Sequence, residues 1–450
     1  MKKNVLLLHT HDTGRCIQPY GYAVETPHLA AFARQGALFR QAFDCGPTCS
    51  PARAALLTGQ VPHECGMLGL AHRGFGLNDP GKHLANYLRG NGYRTVLAGI
   101  QHETNDKPAT LGYEENIQAP ADQTIADPGR RFMARDSAHA DRVCDILRQT
   151  QDRPFFISLG LFSTHRPFPE EPDADIDANY LRAPLPILDN DDCRRDWAAF
   201  CIMARHVDRC FGQVLTTLAE QGLADDTLVI VTTDHGPAFP WMKCNLNDAG
   251  CGIMLMLRMP GMPAGVVSNA LVSHMDVYPT LCEWIGLPRP QHELRGRSLM
   301  PLLCGEDREL HDDLFAEINF HAARDVQRTV RSKRYRYVRR YDGYERVVLP
   351  NIDDGLNKRF LRHEADLGAR PRIPEEQLFD LYYDPLACYS VVGEASYAAV
   401  LADMRQRLQA WMVATKDPLL AGPVKAPAGS RLNRQDDLEP QNGNWEQPEQ

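Results

Sequence analysis

Leu228-Val229-Ile230-Val231-Thr232 is an unbroken run of apolar and β-branched residues, the pattern of a strand buried on both faces. Three more short runs, Val5–Leu8, Thr95–Ala98 and Phe155–Leu159, have the same character. Helical stretches separate them. Thr26 to Gln35 opens on Thr-Pro, which supplies cap and first-turn signals. Leu84 to Arg89 is stopped by Asn91-Gly92, and longer helices are expected over about 137–151 and 196–221. Strands and helices in this alternation predict an α/β fold, a large and mostly parallel sheet sandwiched by helices.

The texture changes near residue 310. From Gln327 to Tyr341, β-branched and aromatic residues alternate with Arg and Lys, which predicts an antiparallel strand pair with one wet face. Leu378–Leu381 reads as another strand and Tyr397 to Ala414 as an amphipathic helix. The organisation expected is therefore an α/β domain over 1–310 and a smaller C-terminal α+β subdomain over 311–421. The Pro-, Gly-, Asn- and Gln-rich remainder, 422–450, reads as an extended or disordered tail.

A net charge of −9 argues against a nucleic-acid partner, which calls for a basic face. No apolar run is long enough to span a membrane. Asn4 to His9 is too short for a secretory core, so a cytoplasmic protein is expected. The 13 cysteines are scattered singly, without zinc-knuckle pairs or a disulfide framework. Most are expected to be small buried residues. Oligomeric state is left open, a homo-oligomer included.

Open α/β sheets place ligands at the carboxyl ends of their strands. There the chain carries His9-Thr10-His11-Asp12, Thr233-Asp234-His235-Gly236, Ser163-Thr164-His165-Arg166 and Gly99-Ile100-Gln101-His102. Carboxylates and imidazoles from four strand ends suffice for a divalent metal and for acid–base work. Taken singly, each pair is equally a turn or a helix cap.

Cys49-Ser50-Pro51-Ala52-Arg53, continued by Leu57-Thr58-Gly59, adds the decisive element. Pro51 suits the first turn of a helix, so residue 49 sits near its N-terminus, where free N–H groups favour an anion. Arg53, one turn on, offers a forked cation for an oxyanion. Cys49 to Gly59 resembles the signature of the sulfatases, formylglycine-dependent enzymes of the alkaline phosphatase superfamily. Gly92-Tyr93-Arg94-Thr95 with His102, and Val272 to Thr280, are similar to further segments of that family. Phe239-Pro240 before Lys243, Gly66-Met67 with Gly69-Leu70, and Trp411 with Asp417-Pro418 resemble its heparan N-sulfatase (sulfamidase) branch.

The resemblance implies an alkaline-phosphatase-like fold and a sulfatase acting on a small sulfated substrate, a sulfate ester or sulfamate. It implies that a formylglycine-generating maturation enzyme oxidises Cys49 to formylglycine (3-oxoalanine), the nucleophile. Asp12, Asp234, His235 and His11 correspond to ligands of a divalent metal, calcium first and magnesium or manganese next. Arg53 corresponds to the residue orienting the nucleophile, Lys243 to a sulfate-binding cation, His165 to a group near the leaving oxygen and His102 to a base near formylglycine. His11 stands where the family usually has a second aspartate, and Ile100 where it has a lysine. His72, Arg73 and Arg166 are the candidate replacements for that lysine, with His72 and Arg73 as substrate-binding residues. Arg324, Arg328 and the basic stretch 331–340 either approach an anionic sugar or form a solvated strand face. Two other readings stay open: a phosphonate monoester or phosphodiester hydrolase, favoured by His235, and a non-catalytic anion-binding relative, suggested by His11 and Ile100.

Overall fold

A computed structural model of the protein describes residues 3–149, 151–306, 308–367, 372–440 and 445–446. Eight strands form the main sheet: β1 (Asn4–Thr10), β2 (Ala37–Phe43), β3 (Arg94–Gly99), β4 (Glu115–Ile117), β5 (Phe155–Gly160), β6 (Thr227–Thr233), β7 (Leu255–Arg258) and β8 (Val266–Ser273). Their order is β4-β3-β5-β1-β6-β7-β2-β8. β1 pairs in parallel with both β5 and β6, whereas β7 runs antiparallel to its two neighbours. Side chains alternate across the sheet: Val5 and Leu7 join one hydrophobic core, Leu6 and Leu8 the other. Both faces are therefore covered, as an unbroken apolar strand requires.

The covering helices include α1 (Pro27–Gln35), α2 (Cys49–Thr58), the single turn α3 (Pro62–Cys65), α4 (Leu84–Gly90), α5 (Pro128–Leu147) and α6 (Asp191–Glu220). α5 starts well before the expected residue 137, because Asp127 caps it by accepting from the Arg130 N–H ahead of Pro128. Its polar first turns conceal that start. It also ends before the expected residue 151, at Leu147 with Arg148 as its C-cap; residue 150 lies outside the described residues. α6 likewise begins earlier than expected, at a cap made by Asn190.

A second, antiparallel sheet has the order β12-β11-β10-β9, with β9 (Asp313–Phe320), β10 (Arg324–Ser332), β11 (Tyr335–Arg340) and β12 (Glu376–Asp380). Leu314, Ala316 and Ile318 of β9 pack on Phe43 and Leu271 of the main sheet's edge. Val330 and Tyr337 pack on Leu401, Met404 and Leu408 of the helix Ala398–Ala414. The wet face expected for Gln327 to Tyr341 is thus largely covered, apart from Arg339 and a cleft along part of one face. Seven consecutive residues of β10 are buried, and Arg328, Arg331 and Arg336 are held inside by carboxylates. The tail is extended but packed: Val424, Ser430, Leu432 and Asn433 are buried against the body. Residues 441–444 and 447–450 of that stretch lie outside the described residues. Among the described residues, no helix is long and apolar enough to cross a membrane.

Candidate active site

Parallel pairing brings the carboxyl ends of β3, β5, β1 and β6 to one edge of the sheet. β1 ends in His11-Asp12 and β6 leads into Asp234-His235, while the loop after β2 ends at Thr48, the cap residue of α2. Cys49 is the first residue of that helix, as its sequence predicts. His11, Asp12, Cys49, Asp234 and His235 each contribute an atom to a buried cluster in which these atoms lie within 4.8 Å of one another.

The chain turns sharply at Asp12, whose φ of 55° is in the left-handed region that Asp tolerates better than most residues. Its N–H donates to Asp234 Oδ1 at 2.8 Å, locking the two strand ends together. His235 Nδ1 donates to the Gly236 carbonyl at 2.9 Å. A carbonyl only accepts, so the neutral ring keeps its lone pair on Nε2. Nε2 lies 3.3 Å from Asp12 Oδ1 and 3.5 Å from Cys49 Sγ. His11 Nδ1 is 2.7 Å from Asp12 Oδ1 and 3.2 Å from Asp234 Oδ2. Its Nε2 meets His102 Nδ1 at 3.1 Å. His165 donates through Nδ1 to the Arg166 carbonyl and turns Nε2 to within 3.8 Å of Asp12 Oδ2.

Two cations close the cluster. Lys243 Nζ lies 2.9 Å from Asp12 Oδ2 and 3.0 Å from Asp353 Oδ2. Arg53 donates through Nη2 to Asp234 Oδ2 at 2.9 Å and to the Thr10 carbonyl at 2.7 Å, and through Nη1 to His9 Nδ1 at 2.6 Å. Arg53 therefore orients Asp234 directly. His9 accepts from a permanent cation, so its ring is neutral and its Nε2 donates to Ser158 at 3.0 Å.

Burial opposes ionisation of Asp12, but Lys243 and the histidines around it outweigh that and hold the carboxyl far below its ordinary range. Asp234 is held down in the same way, against burial, by His235, His11 and Arg53. Burial pushes the His11 imidazole down to about 4 and also depresses His102, the latter helped by His11 and Arg53. The Cys49 thiol is pushed well above its usual value by burial, so unmodified Cys49 is a poor thiolate nucleophile.

Several candidates from the sequence lie elsewhere. Arg73 is committed to the C-terminal segment, donating to the carbonyls of Ala322, Arg431 and Pro440 and to Asn433 Oδ1 at 2.9–3.2 Å. Arg166 is bound through both Nη atoms to Asp196 at 2.7–2.8 Å. Neither replaces the lysine that Ile100 displaces. His72 is exposed at the rim, its ring centroid 6.4 Å from that of His102. Arg324 donates to the Val424 carbonyl and Arg328 binds Asp417, so both serve the subdomain. Sequence reasoning placed His9 at a strand end without giving it a role, and missed Asp353. His9 shares a strand face with His11, a signal that was legible. Asp353 comes from a subdomain loop that no strand-end pattern marks.

The sulfatase family model matches residues 3–287, and a model described as "N-sulphoglucosamine sulphohydrolase, C-terminal" matches residues 241–354. The chain belongs to the sulfatase family. As a sulfatase it is a sulfuric ester hydrolase of the alkaline phosphatase superfamily. It is 29% identical to the N-sulphoglucosamine sulphohydrolase of Homo sapiens over 94% of this chain and 92% of that protein. It is 26% identical to an ulvan-active sulfatase of Formosa agariphila over 92% of this chain and 76% of that one. Among solved structures, a 2-O GAG sulfatase superposes with a TM-score of 0.74 at 20% identity, covering 97% of this chain and 98% of that one. The phosphonate monoester hydrolase of Agrobacterium radiobacter superposes with a TM-score of 0.68 at 22% identity, covering 93% and 97%. Both share the fold.

The residues present fit a divalent cation. Two carboxylates and the aimed lone pair of His235 converge on one buried volume, with His11 beside them. Metal–ligand bonds of about 2.0–2.5 Å place ligand atoms at the separations seen here. A bound cation would also balance the concentration of buried carboxylates.

Proposed function

We propose that this sulfatase hydrolyses a sulfate ester or sulfamate of a sugar through formylglycine made from Cys49. The observation that carries the reading is the convergence of Cys49 Sγ with Asp12, Asp234 and His235 at a helix N-terminus, beside Lys243. Position 49 is buried beside the carboxylates of Asp12, Asp234 and Asp353, where a neutral aldehyde hydrate is better placed than a thiolate. A maturation enzyme of the formylglycine-generating class and a cytoplasmic location belong to the same proposal.

One hydroxyl of the hydrated aldehyde gives up its proton and attacks sulfur, the S–O or S–N bond breaks, and the leaving oxygen or nitrogen takes up one proton, so none is gained or lost overall. His165, with Nδ1–H held by the Arg166 carbonyl and Nε2 facing the cluster, is placed to take the first proton on Nε2 and return it to the leaving atom. Lys243 binds a sulfate oxygen and shares the charge that builds up on it. The remaining hydroxyl of the sulfated residue then loses its proton, sulfate departs and the aldehyde re-forms. His102, neutral and beside His11, is the base for that step. Water rehydrates the aldehyde.

Asp12, Asp234, His235 and His11 would hold the cation, which would supply Lewis acidity when bound. Calcium is the first candidate. The two imidazoles make the set less oxygen-rich than calcium sites usually are, which brings magnesium or manganese into consideration. Asp353, beside Lys243, offers an acceptor to the hydroxyl or amine of the leaving sugar.

The relatives named as an N-sulphoglucosamine sulphohydrolase and an ulvan-active sulfatase support a sugar substrate. A phosphonate monoester hydrolase is the second reading, because His235 stands where many sulfatases have Asn. The test is a screen of matured protein against N-sulfoglucosamine, sulfated monosaccharides, aryl sulfates and aryl phosphonates, before and after chelation. Sulfate release that chelation stops and added cation restores supports the proposal. A dominant phosphonate activity overturns it.

A further inference from the structure

The basic stretch of β11 has a destination that the catalytic cluster does not use. A cleft of about 760 Å³ separates the α/β domain from one face of the four-stranded sheet, and no residue of the catalytic cluster lines it. Arg336, Val338 and Arg340 alternate along β11 and so share the floor of this cleft. Arg15, from the loop after β1, enters from the opposite wall.

These arginines are anchored but not saturated. Arg15 Nη2 donates to the Ala42 carbonyl at 2.6 Å, Arg336 Nη2 to Asp248, and Arg340 Nη2 to Asp325 Oδ1 at 2.8 Å. Arg15 Nε, Arg336 Nε and Nη1, and Arg340 Nε are buried without a hydrogen-bond partner. Buried polar groups are ordinarily satisfied, and leaving charged donors without acceptors is costly. The balance also lacks anions. Arg336 and Arg340 pair with one carboxylate each, Asp248 is shared with Arg331, and among the described residues Arg15 makes no ion pair, Asp44 being a nearby carboxyl. Aromatic side chains complete the walls, among them Tyr22 and Tyr389, the latter 79% exposed.

We propose that this cleft is a second, non-catalytic site for an anionic sugar residue, its sulfate or carboxylate held by Arg15, Arg336 and Arg340 and its ring against the tyrosines. Forked guanidinium groups match planar carboxylate and tetrahedral sulfate oxygens. The volume lies in the range of small-molecule sites and accommodates a sugar unit. The choice of a sugar rests on the sulfatase reading of the active site. The enzyme then holds a polyanionic chain at two points, one reactive and one not.

Isothermal titration of the Cys49→Ala protein with glucosamine 6-sulfate and, separately, with glucuronate tests this and distinguishes the two anions. At least one probe is expected to occupy a site that Gln377→Glu weakens tenfold or more. Gln377 lines the cleft opposite Val338, so the substitution adds a repelling charge while leaving every ion pair in place. Arg336→Gln with Arg340→Gln removes the site altogether in protein whose melting curve stays cooperative. In matured enzyme, Gln377→Glu leaves kcat/KM for a small aryl sulfate within twofold. Binding of neither probe outside the active site, or binding indifferent to Gln377→Glu, overturns the proposal. Loss of all sulfate turnover with this binding intact instead overturns the active-site reading alone.

Discussion

Asp12 and Glu317 are both buried carboxylates with a histidine and a cation within reach, yet they sit in opposite kinds of surroundings. Glu317 accepts from the His63 N–H at 2.6 Å and meets His63 Nδ1 at 2.7 Å and Arg328 Nε at 3.2 Å. Arg328 grips Asp417 at 2.6 and 3.1 Å and gives its remaining nitrogen to the Ile318 and Gln327 carbonyls. Every strong group in this set is answered by another, and the set ties α3, β9 and β10 to the segment after the last helix. Around Asp12, lone pairs and carboxylate oxygens from different strand ends point at the same small volume. One cluster is closed and holds two parts of the chain together; the other is open and calls for a ligand. Histidines and carboxylates at coordinating distance therefore mark a functional site only when acceptor faces acceptor, as the lone pair on His235 Nε2 faces Asp12 Oδ1 at 3.3 Å.

The comparison predicts opposite signatures. Cys49→Ala lowers turnover on the order of 10⁴-fold or more while the melting temperature stays that of the parent, measured by steady-state kinetics and calorimetry on one preparation. Lys243→Ala lowers kcat by about 10²–10³-fold, the usual cost of removing one group that stabilises developing charge. Arg328→Met does the reverse. It strands Glu317 and Asp417 and costs about 3–5 kcal/mol of stability in denaturant titration, with kcat per folded molecule within twofold. The smallest effect concerns pH. Burial disfavours protonated His63, but Glu317 outweighs it and raises the pKa. A raised value contributes stability fully below the ordinary histidine range, about 6.5, and loses it as pH rises through the folded value. The melting-temperature gap between the parent and His63→Gln is thus widest in mild acid and narrows toward alkaline pH. A gap that widens instead means His63 is neutral in the folded protein.

The open cluster was far more legible in the sequence than the closed one. Apolar strands announce where they end, and an α/β sheet puts ligands there, so Asp12, Asp234, His102 and His165 were readable from position alone. Cys49 and Arg53 were readable from the helix start. The actual partner of Arg53 was not, because its reach to Asp234 and His9 depends on how β1 and β6 pair. β2 escaped notice because Arg40 and Gln41 interrupt its apolar residues, whereas the apolar run that holds β7, Ile253 to Leu257, was legible. The arginines of β10 and β11 misled for a related reason. Alternating charge looks like a wet face unless carboxylates such as Asp248 and Asp417, distant in sequence, come to cover it. Asp353 belongs to the same class, a residue that only the docking of the subdomain brings to Lys243.

The central claim is that the open cluster does sulfatase chemistry through a modified Cys49. It is tested most directly by the ratio of kcat/KM for an aryl sulfate to that for an aryl phosphonate with the same leaving group. The protein is co-expressed with a formylglycine-generating enzyme, and its intact mass reports the state of residue 49. The account predicts a ratio above one, with sulfate turnover proportional to the fraction of chains in which the Cys49 sulfur has been replaced by the aldehyde. A ratio well below one, or equal turnover by chains that retain the thiol, contradicts it.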